Sequence, residues 1–307
     1  MNSDLGESFG AYKIGCDDKV IPLISSANVA CGWHAGDSGV MAKTVRLAAE
    51  AGIAVGAHPG YPDLVGFGRR NMNVSPADMK TYIMYQVGAL NAFCKAEGIE
   101  MQHVKPHGAM YNMAAKDAKL ADAICEGIAK VDDGLILMGL SGSEMQRSAE
   151  KYGLRFASEV FADRAYEEDG SLVARTKPGA VITDENEAVS RVVEMVKNST
   201  VTAVTGKKIE IKADSVCVHG DNEHALLFVE KLRKALSENG IEITSLRNFY
   251  EVNYGKKEIK MLGGNRPWRN EKQLFACEKE AVARYENRRR NKGGRIRSRS
   301  RKSSKLT

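Results

Sequence analysis

Short apolar runs rich in β-branched residues alternate with longer amphipathic stretches through residues 20–246. This alternation predicts βα units, in which helices cover a mostly parallel sheet. The predicted strands cover residues 26–31, 53–57, 101–105, 135–138, 156–161, 216–218 and 241–244. The predicted helices cover 38–51, 75–97 and 221–238, and residues 201–213 predict a small hairpin. Such a chain forms either an open doubly wound sheet or a closed (β/α) barrel of about seven parallel strands.

Histidines recur in glycine-containing turns that follow four of the predicted strands. These turns contain His34, His58, His107 and His219. Reactive groups gather at the carboxyl ends of many strands in a barrel, whereas an open sheet gathers them at one switch point. The distribution over four strands therefore predicts a closed barrel with one polar active site. His103 lies inside a predicted strand and His224 in the first turn of a predicted helix, so both are predicted to be structural or surface residues.

Carboxylates and one lysine join the histidines at the same strand ends. Asp4 and Glu7 flank a glycine, and Lys105 ends a strand where its charge could meet a developing oxyanion. The predicted catalytic residues are Asp4, Glu7, His34, Asp37, His58, Lys105 and His107. They could act as general acids and bases without a metal, or an Asp–His–His group could hold Zn²⁺ or another divalent ion and activate water. The sequence leaves both alternatives open.

A second set of charged residues is predicted to bind substrate or phosphate. Arg69 and Arg70 are adjacent in a glycine-rich loop, which is either a solvated loop or an anion clamp for a carboxylate or phosphate. Glu159, Asp163 and Arg164 form another polar cluster at a strand end, and His219 completes the set. The chain contains neither a G-x-x-x-x-G-K-S/T motif nor a G-x-S-x-G motif, which excludes a classical P-loop and disfavours covalent serine catalysis.

Charge divides the chain at about residue 246. Residues 247–307 hold 19 Lys and Arg against 6 Asp and Glu, which leaves 26 basic and 33 acidic residues of the total 45 and 39 in residues 1–246. We therefore expect an acidic catalytic domain over 1–246 and a basic, largely disordered tail over 247–307. The tail could bind nucleic acid through phosphate contacts, but the acidic body disfavours a physiological role of that kind.

Three absences bear on the compartment. No apolar run approaches the roughly 18 residues that span a bilayer, the N-terminus lacks a signal-peptide pattern, and the six cysteines are scattered. We expect a soluble cytoplasmic protein with no membrane partner.

The polar turns, taken in order, resemble those of the LamB/YcsF family, which supplies the first of the three components (A, B and C) of ATP-dependent 5-oxoprolinase. The resemblance lies in NSDLGESFG at 2–10, SANVACGWHAGD at 26–37, GAHPGYPDLVGFGRR at 56–70, VKPHGAMYN at 104–112, EVFADRAY at 159–166 and CVHGD at 217–221. It implies a modified (β/α) barrel akin to the glycoside hydrolase and deacetylase superfamily. The implied activity opens the lactam of 5-oxo-L-proline to L-glutamate, with ATP as co-substrate, Mg²⁺ accompanying the ATP, and the 5-oxoprolinase B and C subunits as partners.

The resemblance also suggests roles for the predicted residues. A carboxylate or His34 or His58 would position and deprotonate water, Lys105 and His107 would stabilise the oxyanion or protonate the ring nitrogen, and Arg69 and Arg70 would hold a carboxylate or phosphate. Two alternatives remain, which are a metal-dependent, deacetylase-like hydrolase that does not use ATP and a non-catalytic lactam-binding subunit. The apolar run that precedes position 2 in the family is missing, so we expect a first strand that is nearly absent and a less stable barrel.

Overall fold

The computed structural model describes residues 1–219 and 223–252. Its strands are β1 (Asn2–Leu5), β2 (Ser26–Ala30), β3 (Ala54–His58), β4 (Met101–Val104), β5 (Ile136–Leu140), β6 (Arg155–Phe161), β7 (Thr200–Thr202), β8 (Lys208–Glu210) and β9 (Ser215–Cys217). Within these residues seven strands form a closed parallel barrel in the order β1-β2-β3-β4-β5-β6-β9, and β7 pairs antiparallel with β8. The predicted barrel and the predicted hairpin are both confirmed.

Helices cover the outside of the barrel. They are α1 (Asp17–Val20), α2 (Ser38–Ala51), α3 (Pro76–Ala96), α4 (Gly108–Ala114), α5 (Ala118–Val131), α6 (Glu144–Lys151), α7 (Glu185–Asn198) and α8 (Glu223–Glu238), with a 3₁₀ turn at Ile21–Leu23. The start of α3 follows from its sequence, because Ser75 caps the Asp78 amide and Pro76 needs no amide partner at the first helical position. Among the described helices, none combines the length and apolar character needed to cross a membrane.

The first strand is fully formed, which corrects the expectation of an incomplete barrel. Residues 2–5 pair with β2 from Asn2 opposite Ser26 to Leu5 opposite Val29, and Asn2 also pairs with Cys217 of β9. An apolar lead-in is unnecessary because ladder hydrogen bonds hold β1 on both sides, and its inward Asn2 amide donates to Ser215 Oγ at 2.9 Å. We therefore assign no loss of stability to a missing stave.

The predicted strand at 241–244 is not a strand. The barrel closes through β1 and β9, so this run has no free sheet edge to join, and its isoleucines instead pack against the core from an irregular segment. Beyond it, Leu246 and Tyr250 are buried against Ile136, Met138 and Ala157. Most of the predicted tail, residues 253–307, lies outside the described residues, as do 220–222 at the predicted start of α8.

Polar side chains fill part of the barrel interior and leave no room at Gly56. A Cβ there would lie 2.3 Å from the His103 ring, and that ring donates through Nε2 to Asn28 Oδ1 at 2.7 Å. Because turning His103 away would break a buried hydrogen bond, we expect Gly56→Ala to destabilise the protein by about 1–3 kcal/mol in urea unfolding. Gly88→Ala is the control, because Gly88 lies in α3 with open space around it, and it should stabilise by about 0.4–1 kcal/mol. Equal effects of the two variants would contradict the packing argument.

Candidate active site

A cavity of about 460 Å³ opens at the carboxyl ends of the barrel strands. Five of the residues that line it, each at or just beyond the end of a different strand, are Asp4, His58, Lys105, Phe161 and His219. Parallel strands bring their carboxyl ends to one face of a barrel, which is why turns far apart in the sequence meet here.

Three imidazole rings lie together at this end of the barrel, all of them buried. The rings of His34 and His107 stack with centroids 3.7 Å apart, and His58 Nε2 lies 2.9 Å from His107 Nδ1. Glu7 reaches the cluster with Oε1, which is 3.2 Å from His34 Nε2 and 3.7 Å from His107 Nδ1. Two groups bring possible metal-donor atoms within 4.8 Å of one another, namely Glu7–His34–His58–His107 and Asp4–Cys217–His219.

Backbone groups of neighbouring turns hold two of the rings. His58 Nδ1 donates to the Lys105 carbonyl oxygen at 2.7 Å, and His107 Nε2 donates to the Phe67 carbonyl oxygen at 2.8 Å. The turn after Phe67 approaches so closely that a Cβ on Gly68 would lie 2.7 Å from the His34 Cβ, and Gly68 also has φ +62°. Glycine is therefore required here both for the approach and for the left-handed backbone.

Burial determines the charge of the stacked rings. It lowers the pKa of His34 well below the ordinary histidine value, and the neighbouring His58 adds to the effect. Burial likewise lowers the pKa of His107, with His34 and His58 lowering it further. Both rings are therefore neutral imidazoles at neutral pH, able to accept a proton or donate a lone pair.

Lys105 forms a buried charge network beside the imidazoles. Its Nζ lies 3.0 Å from Asp4 Oδ1, 2.8 Å from Glu159 Oε1 and 3.2 Å from Cys217 Sγ. Burial by itself would lower the pKa of Lys105, but Asp4, Cys217 and Glu159 outweigh it and hold that pKa well above its usual range. Glu159 is held in turn by Tyr111, whose hydroxyl donates to Oε2 at 2.8 Å. The lysine is therefore a fixed cation at neutral pH.

The two carboxylates at the start of the chain differ in acidity. Burial opposes ionisation of Asp4, yet His58 and Lys105 outweigh it and hold the pKa of Asp4 well below its usual range. Burial raises the pKa of Glu7, and the Asp4 charge raises it further. Environments that separate two carboxyl groups in this way are typical of acid–base sites.

The two adjacent arginines occupy different positions. Arg69 lines the cavity, with its guanidinium carbon 5.0 Å from the centre of the Phe67 ring. Arg70 instead forms an ion pair with Asp63 of its own loop. The loop therefore offers one arginine to a ligand, whereas the other holds the loop in shape.

The remaining predicted residues lie around the cavity, with one exception. Arg164 lines it while donating to the Val173 and Ala180 carbonyl oxygens, and Asp163 Oδ2 lies 3.1 Å from His219 Nδ1. Asp37 does not line the cavity, because its carboxylate accepts from the Val40 and Gly10 amides at 2.9 and 2.8 Å and so caps α2.

Sequence reasoning missed several residues that support the site. They are Asn2, Asn28, Tyr111, Arg175 and Cys217. Asn28 hydrogen-bonds to Asn2 Oδ1 and Asp4 Oδ1 at 2.7 and 2.8 Å inside the barrel. An asparagine in the middle of an otherwise apolar predicted strand was the available signal, since buried amides need partners.

The Asp63–Arg70 pair makes a prediction about acid stability. The hydrogen bond from Arg70 lowers the pKa of Asp63 from 3.8 to about 2. A carboxylate with a depressed pKa stabilises the fold above its unfolded-state pKa and loses that contribution as pH falls through the folded-state value. Between pH 5 and pH 2.5 we therefore expect Asp63→Asn to lose less stability than the wild type in urea unfolding. Asp133→Asn, in an exposed turn, gives the background, and identical losses in all three proteins would contradict the prediction.

Known proteins share this fold and these turns. A profile of the LamB/YcsF family matches residues 1–251. A Clostridium beijerinckii protein, named as the A component among 5-oxoprolinase subunits, is 64% identical over 250 residues, covering 81% of this chain and 98% of that protein. A Bacillus subtilis protein of the same name is 56% identical over 246 residues, covering 80% of this chain and 96% of that protein. The crystal structure of a lactam utilization protein from Thermus thermophilus matches with a TM-score of 0.76 and 45% identity, covering 80% of this chain and 98% of that one. The chain therefore belongs to the LamB/YcsF family.

Proposed function

We propose that this chain opens the lactam of 5-oxo-L-proline to L-glutamate in a reaction coupled to ATP hydrolysis, as the A component of a multi-subunit 5-oxoprolinase. The observation that carries the proposal is the convergence of Asp4, His58, Lys105 and His107 on one cavity that also receives Arg69 and Arg175. The names of the relatives support the same role, since a lettered subunit implies an assembly with other subunits. The B and C subunits are the proposed partners.

The coupling to ATP has a chemical reason. An unstrained lactam resists attack by water, because amide resonance makes its carbonyl carbon a poor electrophile. Transfer of the γ-phosphoryl group from Mg²⁺-bound ATP to the amide oxygen releases ADP and makes that carbon electrophilic. Water then adds to the carbon, the C–N bond breaks, the ring nitrogen takes a proton, and glutamate and phosphate are released.

The side chains of the cavity suit these steps. Asp4 is the only carboxylate among the residues that line the described cavity, and it is the proposed base that takes a proton from the attacking water. The Lys105 ammonium, fixed beside it, stabilises negative charge on the carbonyl oxygen. His58 and His107 lie next to Asp4 and complete the proton-accepting surface.

Arg69 is the proposed anchor for the substrate carboxylate or a phosphate, and Arg70 is its matched control. In the described part of the chain Arg69 forms no ion pair, whereas Arg70 is paired with Asp63. A hydrogen bond to a charged group contributes about 1.5–3 kcal/mol, so Arg69→Ala should raise KM for the lactam or ATP by about 10-fold to 100-fold. Steady-state kinetics should show a smaller rise for Arg70→Ala, and equal effects would contradict the assignment.

Reconstitution tests the function itself. The purified full-length chain is mixed with the B and C subunits of a related organism, 5-oxoproline and Mg²⁺-ATP, and glutamate and ADP are measured together. We expect equal amounts of both products, and neither when this chain is omitted. Glutamate formed without ATP would indicate an ATP-independent hydrolase, and full turnover by a His58→Asn variant would indicate a non-catalytic lactam-binding subunit. Either result would overturn the proposal.

A further inference from the structure

His58 and His107 face each other through nitrogens that both carry lone pairs. Each ring donates its outer N–H to a backbone carbonyl oxygen, that of Lys105 for His58 and that of Phe67 for His107. A carbonyl oxygen can only accept, so these bonds fix the single proton of each neutral ring on the outer nitrogen. The inner nitrogens, His58 Nε2 and His107 Nδ1, are then both acceptors and lie 2.9 Å apart. Two acceptors at that distance repel each other unless a positive species lies between them.

Oxygen atoms add to the excess of acceptors at this point. Asp4 Oδ2 is 3.3 Å from His58 Nε2, and Glu7 Oε1 is 3.7 Å from His107 Nδ1. The third ring, His34, turns Nε2 towards the same Glu7 oxygen at 3.2 Å. Its other nitrogen, Nδ1, is buried and makes no hydrogen bond within the described residues. The cluster therefore presents nitrogen and oxygen lone pairs to one small volume, which is the chemistry of a cation site.

We propose that Glu7, His34, His58 and His107 bind one divalent transition-metal ion of the class that imidazole ligands favour, such as Zn²⁺ or Co²⁺. Their donor atoms all lie within 4.8 Å of one another. Metal–nitrogen bonds of about 2.0–2.1 Å place two nitrogen ligands roughly 2.9–3.3 Å apart, and the separation of His58 Nε2 and His107 Nδ1 is 2.9 Å. The backbone hydrogen bonds to the outer nitrogens are the contacts that orient histidine ligands in metal sites.

A shared proton is the competing source of positive charge. If His58 carried a second proton on Nε2, that N–H could donate to His107 Nδ1 and to Asp4 Oδ2. The two arrangements differ in one measurable property, because only the metal site binds an added ion in a fixed stoichiometry. This binding is independent of the proposed lactam opening, since it needs neither substrate, nor ATP, nor partner subunits.

The experiment measures metal binding by the full-length chain. Metal content is first determined by plasma mass spectrometry, the ion is removed with a chelator and dialysis, and Zn²⁺ and Co²⁺ are titrated separately by calorimetry. We expect one ion per chain, and Co²⁺ should give visible absorption bands that indicate nitrogen and oxygen ligands. His58→Ala and Glu7→Gln should each weaken binding by at least about 100-fold, more than the 10-fold to 100-fold cost of losing an outer-shell partner.

His219→Ala is the matched control, because His219 lines the same cavity but belongs to the other donor group with Asp4 and Cys217. It should retain the affinity of the wild type, and circular dichroism should show that every variant is folded. Glu7→Gln preserves the size of residue 7 and keeps the test valid if His58→Ala fails to fold. Absence of stoichiometric binding by the wild type would assign the charge to a proton and overturn the proposal. Loss of binding in His219→Ala alone would place the ion in the other group and also overturn it.

Discussion

Replacing Lys105 with methionine is expected to destabilise the protein by about 3–5 kcal/mol and to abolish lactam turnover. Methionine preserves much of the side-chain volume but removes the ammonium that pairs with Asp4 and Glu159 at 3.0 and 2.8 Å. Those carboxylates are 16% and 0% exposed, so the charge of Glu159 in particular would be left buried without a cation. Leaving one partner of a buried ion pair uncompensated is among the most costly single substitutions.

Urea unfolding of the full chain measures the effect, with Lys151→Met as the control. Lys151 pairs with Asp122 at the surface, where its side chain is 61% exposed, so its replacement should cost no more than about 1 kcal/mol. The double variant Lys105→Met, Glu159→Met should recover part of the loss, because it removes both ends of one buried pair. A Lys105→Met protein as stable as the Lys151→Met protein would show that the buried network contributes little to the fold.

The sequence was sufficient to predict the barrel because βα alternation is a local property of the chain. Six of the seven predicted strands occur within about two residues of their predicted bounds. The two errors concern closure, which is not local. The run at 241–244 has the apolar character of a strand but no sheet edge to join, whereas residues 2–5 have polar inward side chains yet lie between two strands that pair with them. Only the completed sheet decides between them.

The candidate site was predictable to a different extent. Histidines in glycine-containing turns could be assigned to one site, because carboxyl ends of parallel strands share one face of a barrel. Their partners could not be assigned, since which carbonyl, carboxylate or ammonium each ring meets depends on the folded loops. The adjacent Arg69 and Arg70 show this clearly, because identical side chains in one loop divide between a cavity wall and an ion pair with Asp63.

The buried interior explains why this site is rigid. Asn28 joins Asp4, Asn2 and His103 through hydrogen bonds of 2.7–2.8 Å, and Lys105 joins the same Asp4 to Glu159. A polar network in a low-dielectric interior is stable only if its members are satisfied together, so each residue restricts the positions of the others. Reactive groups held in this way need little reorganisation during the reaction.

Asp4→Asn is expected to lower reconstituted lactam turnover by about 10²-fold to 10⁴-fold, the range that a general base contributes. The variant preserves most of the geometry. The amide oxygen of asparagine can still accept from Asn28 Nδ2 and Lys105 Nζ, which now reach Asp4 Oδ1 at 2.8 and 3.0 Å. Its amide nitrogen can donate to His58 Nε2, which lies 3.3 Å from Asp4 Oδ2. What disappears is the negative charge and the ability to take a proton from water.

The measurement separates this chemical loss from a structural one. Turnover is followed as glutamate formation at saturating lactam and ATP, and kcat should fall much more than KM changes, because asparagine keeps the cavity's shape. Asp122→Asn, at the surface beside Lys151, should retain wild-type kcat. Circular dichroism of Asp4→Asn should show the wild-type fold. If kcat of this folded variant stayed within about threefold of the wild type, far below the loss expected for a general base, Asp4 would be a positioning residue and the proton would pass to another group of the cluster.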